Sequence, residues 1–131
     1  MVEWKKTSRR KASGGINNAV NAATKKLSDK GGLFSKTEVA TIDKRHQTKT
    51  RGGGRKIKIS KATTMLIAQA GKTSKAKIVD VSENAANKQF VRQKVITKGA
   101  VIKVMLDGKE HLAKVTSRPG QSGQVSGVLV K

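Results

Sequence analysis

The sequence predicts an all-β protein, a small barrel of about six to eight strands preceded by an extended basic N-terminal arm. From about Lys36 onward, short runs in which apolar and polar residues alternate fill the chain, and such alternation is typical of half-buried strands. Turn residues separate these runs at short intervals, as in closed or partly open barrels. Closure into a barrel would also remove the exposed edges of such a sheet.

The first 35 residues have a different composition. KKTSRRKASGG (5–15) is basic and rich in small residues without an apolar period, which predicts extended chain or loop. The apolar residues of INNAVNAATKKL recur at helical spacing, which predicts a short helix over 16–27. We therefore expect a basic N-terminal extension over residues 1–35 and a β-barrel domain over residues 36–131.

The predicted strands occupy most of the second segment. Asp107-Gly108 stands between two of them and is a strong hairpin signal. SRPGQSGQ (117–124) predicts a longer turn with Pro119-Gly120 at its corner. The first strand runs from Val39 into the charged KRHQTKT, and the others lie at 56–60, 63–68, 76–83, 89–96, 100–106, 109–116 and 124–130.

The core must be built almost without aromatic residues, since the chain has only one Trp, two Phe and no Tyr. Valine, isoleucine, leucine, alanine and methionine therefore have to fill it. In the strictly alternating KIKIS (56–60), neighbouring side chains point to opposite faces of a strand. This pattern predicts that Ile57 and Ile59 enter the core while Lys56 and Lys58 face a partner.

The charge balance indicates a polyanionic partner. The chain has 29 Lys and Arg against 8 Asp and Glu, which gives a formal charge of +21. Self-repulsion on this scale destabilises a compact state and favours binding to a polyanion. Nucleic acid is the expected partner, ahead of an anionic membrane or an acidic polysaccharide.

Cysteine is absent from the sequence, which excludes a disulfide scaffold, a thiolate zinc site and a cysteine nucleophile. The basic N-terminus is not followed by an apolar segment, and no apolar run approaches the length of a membrane span. We expect a cytoplasmic protein without a membrane partner.

No group of residues predicts an active site. His46 and His111 stand among charged neighbours, and the scattered carboxylates form no acid–base pair or Ser-His-Asp arrangement. GKT at 71–73 matches the end of a phosphate-binding P-loop, but that motif also needs a glycine where this chain has Leu66. We therefore expect no catalytic residues, no metal, no cofactor and no small-molecule substrate.

TKGAVIKV (97–104) is similar to an RNA-binding strand that stacks bases on aromatic side chains. The stacking positions hold Ala100 and Ile102, so that chemistry is missing. A buried strand entered by a glycine turn is the favoured interpretation.

Two basic segments carry the functional signal. Arg9, Arg10 and Lys11 lie among small residues that can follow a phosphate backbone closely, and the neighbouring Trp4 can stack on a base. The alternative interpretation of this first segment is a solvated charge run. TRGGGRKIKI (50–59) sets three glycines between two arginines, so it is a hairpin turn, a loop whose backbone N–H groups approach phosphate oxygens, or both.

Several motifs resemble a single family. In the same order along the chain, four segments resemble the archaeal and eukaryotic-type small-subunit ribosomal protein eight, the S-eight-e family: SRRKASGG (8–15), TRGGGRKIKI (50–59), SENAANKQFVRQKVITKGAVI (82–102) and AKVTSRPGQSGQVSGVLV (113–130). The lack of the longer eukaryotic insertions favours an archaeal member. The resemblance implies a small β-barrel with an N-terminal extension, bound to small-subunit ribosomal RNA (rRNA) among neighbouring ribosomal proteins.

We therefore expect a structural constituent of the small ribosomal subunit, on cytoplasmic ribosomes, that neutralises rRNA phosphates with the Lys and Arg of its arm and glycine loop. The alternatives are a free-standing RNA-binding translation or chromatin-like factor, an RNA-modifying enzyme and an extracellular heparin-type binder. The resemblance implies RNA contacts by Ser8 to Lys11, Gly14-Gly15, Arg51 to Lys56, Asn84, Asn87, Arg92, Lys98 and Arg118. The full set of predicted RNA-binding residues is Trp4, Lys5, Lys6, Ser8, Arg9, Arg10, Lys11, Gly14, Gly15, Arg45, Lys49, Arg51, Gly52, Gly53, Gly54, Arg55, Lys56, Lys58, Asn84, Asn87, Arg92, Lys94, Lys98 and Arg118.

Overall fold

A computed structural model describes residues 3–5, 8–18, 27–69 and 71–130, apart from the side chains of Leu27 and Arg51. The chain forms two compact units, Met1–Phe34 and Ser35–Lys131.

Short antiparallel pairings organise the first unit. Strand β1 (Glu3–Trp4) pairs with β2 (Lys30–Gly31), and an isolated bridge joins Arg10 to Ile16. The helix predicted over 16–27 falls mostly on residues 19–26, which lie outside the described residues.

The second unit is rich in strands, as its alternating sequence predicts. Two short helices interrupt the strands: α1 follows the capping residue Asn87, and α2 begins with Pro119, a favoured first residue of a helix. Its elements in chain order are β3 (Glu38–Val39), β4 (Lys44–Lys49), β5 (Arg55–Ala62), β6 (Thr64–Gln69), β7 (Lys72–Glu83), α1 (Lys88–Arg92), β8 (Val101–Leu106), β9 (Lys109–Val115), α2 (Pro119–Ser122) and β10 (Ser126–Leu129).

Five of these strands close a barrel in the order β10-β6-β7-β8-β9, and three form a separate sheet in the order β3-β5-β4. The predicted class, an all-β small barrel, is confirmed, but the closed ring has five strands rather than the expected six to eight, and the extended N-terminal arm stays a prediction. Neighbouring strands of the barrel are antiparallel except β10 and β6, whose parallel pairing closes the ring. The pairing of Leu106 with Lys109 confirms the hairpin predicted at Asp107-Gly108.

The barrel interior is filled by the apolar residues that alternate along its strands. Met65 and Ile67 of β6 and Ile102 and Val104 of β8 are fully buried. Burying a side chain of this size contributes about 1.5–3 kcal/mol each, so the interior is the main source of stability. Over the described residues the buried core consists of isoleucine, valine, alanine and methionine, without an aromatic residue.

The strand predicted over 89–96 is wrong for its first half. Lys88–Arg92 form the helix α1, because the Asn87 side chain accepts a hydrogen bond from the Gln89 backbone N–H at 2.8 Å and caps the first turn. Farther along, Val95 makes an isolated antiparallel bridge to Glu38. A cap thus overrides the apolar pattern that indicated a strand.

The predicted burial of KIKIS is correct for one isoleucine and wrong for the other. Ile59 is 1% exposed, whereas Ile57 is 44% exposed. Ile57 lies two residues farther than Ile59 from the end of β5 that pairs with β3, and it contacts the end of the α2 turn. There Gly123 approaches so closely that a β-carbon would stand 2.6 Å from Cγ2 of Ile57.

Candidate nucleic-acid interface

The antiparallel pair of strands β4 and β5, here called the β4–β5 ribbon (residues 44–62), concentrates cationic side chains on both of its faces. Register pairs Lys49 with Arg55 on one face, and Thr48 with Lys56 on the other. All six residues of β4 are exposed, because β4 is the outer strand of its sheet. Like charges directly opposite each other destabilise a sheet. The Lys49–Arg55 pair is therefore a local cost in the free protein, and phosphates bound to the two side chains, one to each, would remove it.

The glycine loop (residues 50–54) closes the β4–β5 ribbon. The Thr50 N–H donates to the Gly54 carbonyl oxygen at 2.7 Å, which fixes the two ends of the loop. Gly52 and Gly53 have φ angles of 80° and 83°, a region that residues with a β-carbon rarely adopt. Apart from the chain neighbours, no atom lies within 4 Å of the position of a β-carbon at either glycine, so that side of the backbone is open to a partner. Residues 50–54 therefore form the predicted turn and also leave backbone open to a partner, while phosphate contact by this loop stays a prediction.

Few carboxylates compensate this charge. Residues 43–62 contain eight Lys or Arg and one acidic residue, Asp43. Asp43 forms an ion pair with Arg45 at 3.3 Å and also accepts the Thr63 N–H at 2.7 Å. Over the described part of the chain, the only other ion pair joins Lys94 to Asp80 at 3.4 Å. The other described cations of the ribbon form no ion pair and are thus available to an external anion.

A second basic segment is the N-terminal hairpin (residues 8–17), in which Arg9, Arg10 and Lys11 are exposed. The Lys11 N–H donates to the Gly15 carbonyl oxygen at 2.8 Å, and Nη1 of Arg10 donates to the Gly14 carbonyl oxygen at 2.8 Å. These bonds hold the basic side chains on a tight turn. Ser8 accepts the Arg10 N–H at 3.1 Å through Oγ.

Comparison with known proteins agrees with this geometry. The profile of the family described as Ribosomal protein S8e matches residues 4–130. The chain belongs to this family. Among S8e relatives, the small ribosomal subunit protein eS8 of Methanosarcina barkeri is 39% identical over 132 residues, covering 99% of this chain and 100% of the relative. The protein of the same name from Methanospirillum hungatei is 36% identical, with coverage of 99% and 100%. That from Methanococcus vannielii is 38% identical, with coverage of 99% and 98%.

Two residues that the S8e motif suggested as RNA contacts have structural roles within the protein. Asn84 is 8% exposed, and its amide donates to the Val95 carbonyl oxygen at 3.3 Å. Its Oδ1 accepts the Ala86 N–H at 3.0 Å and the Thr97 hydroxyl at 3.1 Å. Asn84 therefore ties the end of β7 to the segment before β8. Asn87 caps α1, and RNA contact by either residue stays a prediction.

The other predicted residues of this S8e chain lie in several places. Arg92 ends α1, Lys94 and Lys98 lie on the connection between α1 and β8, and all three are exposed; Lys94 pairs with Asp80. Arg118 is exposed at the start of the turn that packs against β5. Trp4 is 39% exposed and lies with Lys5 in the first unit, while Lys6 and the Arg51 side chain lie outside the described parts of the chain.

The structure also reveals a cleft that sequence reasoning missed, here called the β5–α2 cleft. It encloses about 220 Å³ between the β4–β5 ribbon and the turn at α2. Nζ of Lys56 donates to Oε1 of Gln121 across it at 3.4 Å, joining residues 65 positions apart. The sequence around either residue does not predict a contact between such distant segments. The cleft is lined by Thr48, Thr50, Lys56, Lys58, Gly120 and Gln121.

The arrangement of acidic residues and histidines offers no metal centre, since no group of three or more metal-ligating side chains occurs in the described ranges. Among the helices described, none is long and apolar enough to cross a membrane.

Proposed function

We propose that this chain is a structural constituent of the small ribosomal subunit and that it binds rRNA through its Lys and Arg side chains. Membership of the S8e family, with relatives named as small ribosomal subunit proteins, supports the location on the ribosome among neighbouring ribosomal proteins. The observation that carries RNA binding is the β4–β5 ribbon, where seven described Lys and Arg side chains lie on two strands joined by an open glycine loop and the one carboxylate, Asp43, lies at the opposite end.

The proposed mechanism is electrostatic and shape-based. Arginine and lysine neutralise phosphates along RNA helices, whose grooves are recognised by shape and backbone more than by base sequence. Binding releases the counterions condensed on those phosphates. For a protein that neutralises about 6–10 phosphates, raising the salt concentration from 50 to 200 mM lowers the affinity for RNA by a factor of about 10³–10⁵. The proposed role is non-enzymatic, since the ribbon offers N–H groups that donate hydrogen bonds to phosphate oxygens.

The test uses the full-length chain with small-subunit rRNA and with intact small subunits. We expect tight rRNA binding that falls steeply with salt, and stoichiometric co-sedimentation with small subunits through a high-salt gradient. Binding to rRNA that does not change with salt would refute the electrostatic mechanism. Binding to rRNA without co-sedimentation would instead support a free-standing RNA-binding factor.

A further inference from the structure

We propose that the β5–α2 cleft binds one phosphodiester group of the rRNA backbone, an inference that rests on the proposed function. The RNA-binding residues predicted from the sequence include Lys56 and Lys58 but not the groups that face them across the cleft. The structure adds two threonine hydroxyls and the turn at Gly120-Gln121, which together convert an exposed row of lysines into a concave site.

The chemistry of the lining fits a phosphodiester. Two lysines of the lining supply positive charge and several N–H donors, and Thr48 and Thr50, which also line the cleft, each carry one O–H donor. No carboxylate lines the cleft. A phosphodiester carries one negative charge and accepts hydrogen bonds through its non-bridging oxygens, so it matches this donor set.

Lys58 gives the strongest argument for an anion. It is half-buried, and over the described residues no carboxylate lies within 4.0 Å of its ammonium group. Lys58 shares its face of β5 with Lys56, and the two like charges repel each other, so an anion bound between them is favoured. On β4 the residue paired with Lys58 is His46, which supplies no negative charge.

The walls of the cleft are held in place before any ligand binds. On one side, the Thr50–Gly54 hydrogen bond fixes the glycine loop. On the other side, the Gln121 N–H donates to the Arg118 carbonyl oxygen at 2.9 Å, and Pro119 is buried. A site built on fixed walls loses little conformational entropy on binding, which favours a small ligand such as a single phosphate.

The decisive variant is Gln121→Glu, which puts a carboxylate beside Lys56 inside the cleft. The matched control is Gln93→Glu, because Gln93 is also exposed and also accepts a hydrogen bond from a lysine, Lys36, at 3.4 Å. Both variants change the net charge equally, and both should keep the thermal unfolding midpoint of the parent.

With small-subunit rRNA in 0.1 M salt, Gln121→Glu should weaken binding about five- to eightfold and lower the salt slope by about 0.7–0.9, the contribution of one phosphate. Gln93→Glu should stay within about twofold of the parent, since a distant charge is screened. Equal losses in the two variants, or none in either, would overturn the cleft while leaving rRNA binding by the chain intact.

A second experiment does not need rRNA binding. Dimethyl phosphate, a phosphodiester without base or sugar, is titrated into the 15N-labelled full chain. We expect amide shifts at Thr48, Thr50 and Gln121 that are lost in Gln121→Glu and weakened in the charge-neutral variant Thr48→Val. Shifts elsewhere only, or equal shifts with acetate, would refute a phosphodiester site, the latter in favour of an acidic peptide. If the chain does not bind rRNA but these shifts occur, the proposed function is refuted, whereas the β5–α2 cleft still stands as a phosphodiester site.

Discussion

The Lys49–Arg55 pair makes the β4–β5 ribbon testable without disturbing the fold. Both side chains are exposed and directly opposite each other, and neither forms an ion pair within the described structure. Replacing both with alanine should leave the unfolding midpoint unchanged or slightly raised, because a like-charge repulsion is removed. Any loss of RNA affinity in the double variant Lys49→Ala, Arg55→Ala is then a binding effect.

The size of that loss follows from counting phosphates. Each phosphate contact contributes about 0.7–0.9 to the slope of log affinity against log salt concentration. Two lost contacts therefore weaken rRNA binding about 25- to 60-fold in 0.1 M salt, but only about threefold in 0.5 M salt. Filter binding of labelled small-subunit rRNA across this range measures both quantities.

The control removes the same charge from the barrel. Lys103 and Lys114 are exposed on β8 and β9, so Lys103→Ala, Lys114→Ala also lowers the net charge by two. We expect the control to lose much less affinity than the ribbon variant. Equal losses at every salt concentration would mean that net charge alone matters, and the reasoning about the ribbon would be refuted.

Two further predictions concern stability, and denaturant unfolding of the full chain measures both. Thr37→Val should cost about 1–3 kcal/mol, because the buried Thr37 hydroxyl donates to the Ile59 carbonyl oxygen at 2.7 Å. Thr63→Val should be neutral or stabilising, since the Thr63 hydroxyl is buried without a hydrogen-bond partner in the described structure. A larger loss of unfolding free energy in Thr63→Val than in Thr37→Val would contradict both expectations. Asn84→Ala should cost about 2–4 kcal/mol by leaving several buried partners unpaired, against about 1 kcal/mol for loss of the cap in Asn87→Ala. Similar costs for the two Asn variants would argue against a buried network around Asn84.

The sequence was sufficient to predict most of the fold, because the alternation of β-strands survives where one face meets a core. Ile102 and Val104 follow that rule, and Asp107-Gly108 marks its hairpin directly. The pattern gave a wrong prediction after Asn87, where a helix stands in place of a strand, because a single capped turn of helix also brings apolar residues to one side. The burial of Ile57 was also predicted wrongly, since alternation along a strand does not show where that strand leaves the core.

The candidate interface was only partly predictable. The cations around the glycine loop are adjacent in sequence, so composition reveals them without a structure. Gln121 and Thr48 are polar residues without charge, and only the packing of α2 against β5 brings them to one cleft. Buried polar residues such as Asn84 pose the reverse problem, because a polar motif in the sequence is equally compatible with a hydrogen bond inside the protein and with an RNA contact.

The parallel pairing of β10 with β6 has a consequence for synthesis. Ser126 pairs with Leu66, and β10 also pairs with β9, so one late strand completes the ring on both sides. A nascent polypeptide cannot finish the barrel until this strand has left the exit tunnel, and until then β6 and β9 each expose an unpaired edge. Such edges recruit other chains, so that interval is when a chaperone, or the RNA itself, would protect the newly made protein most.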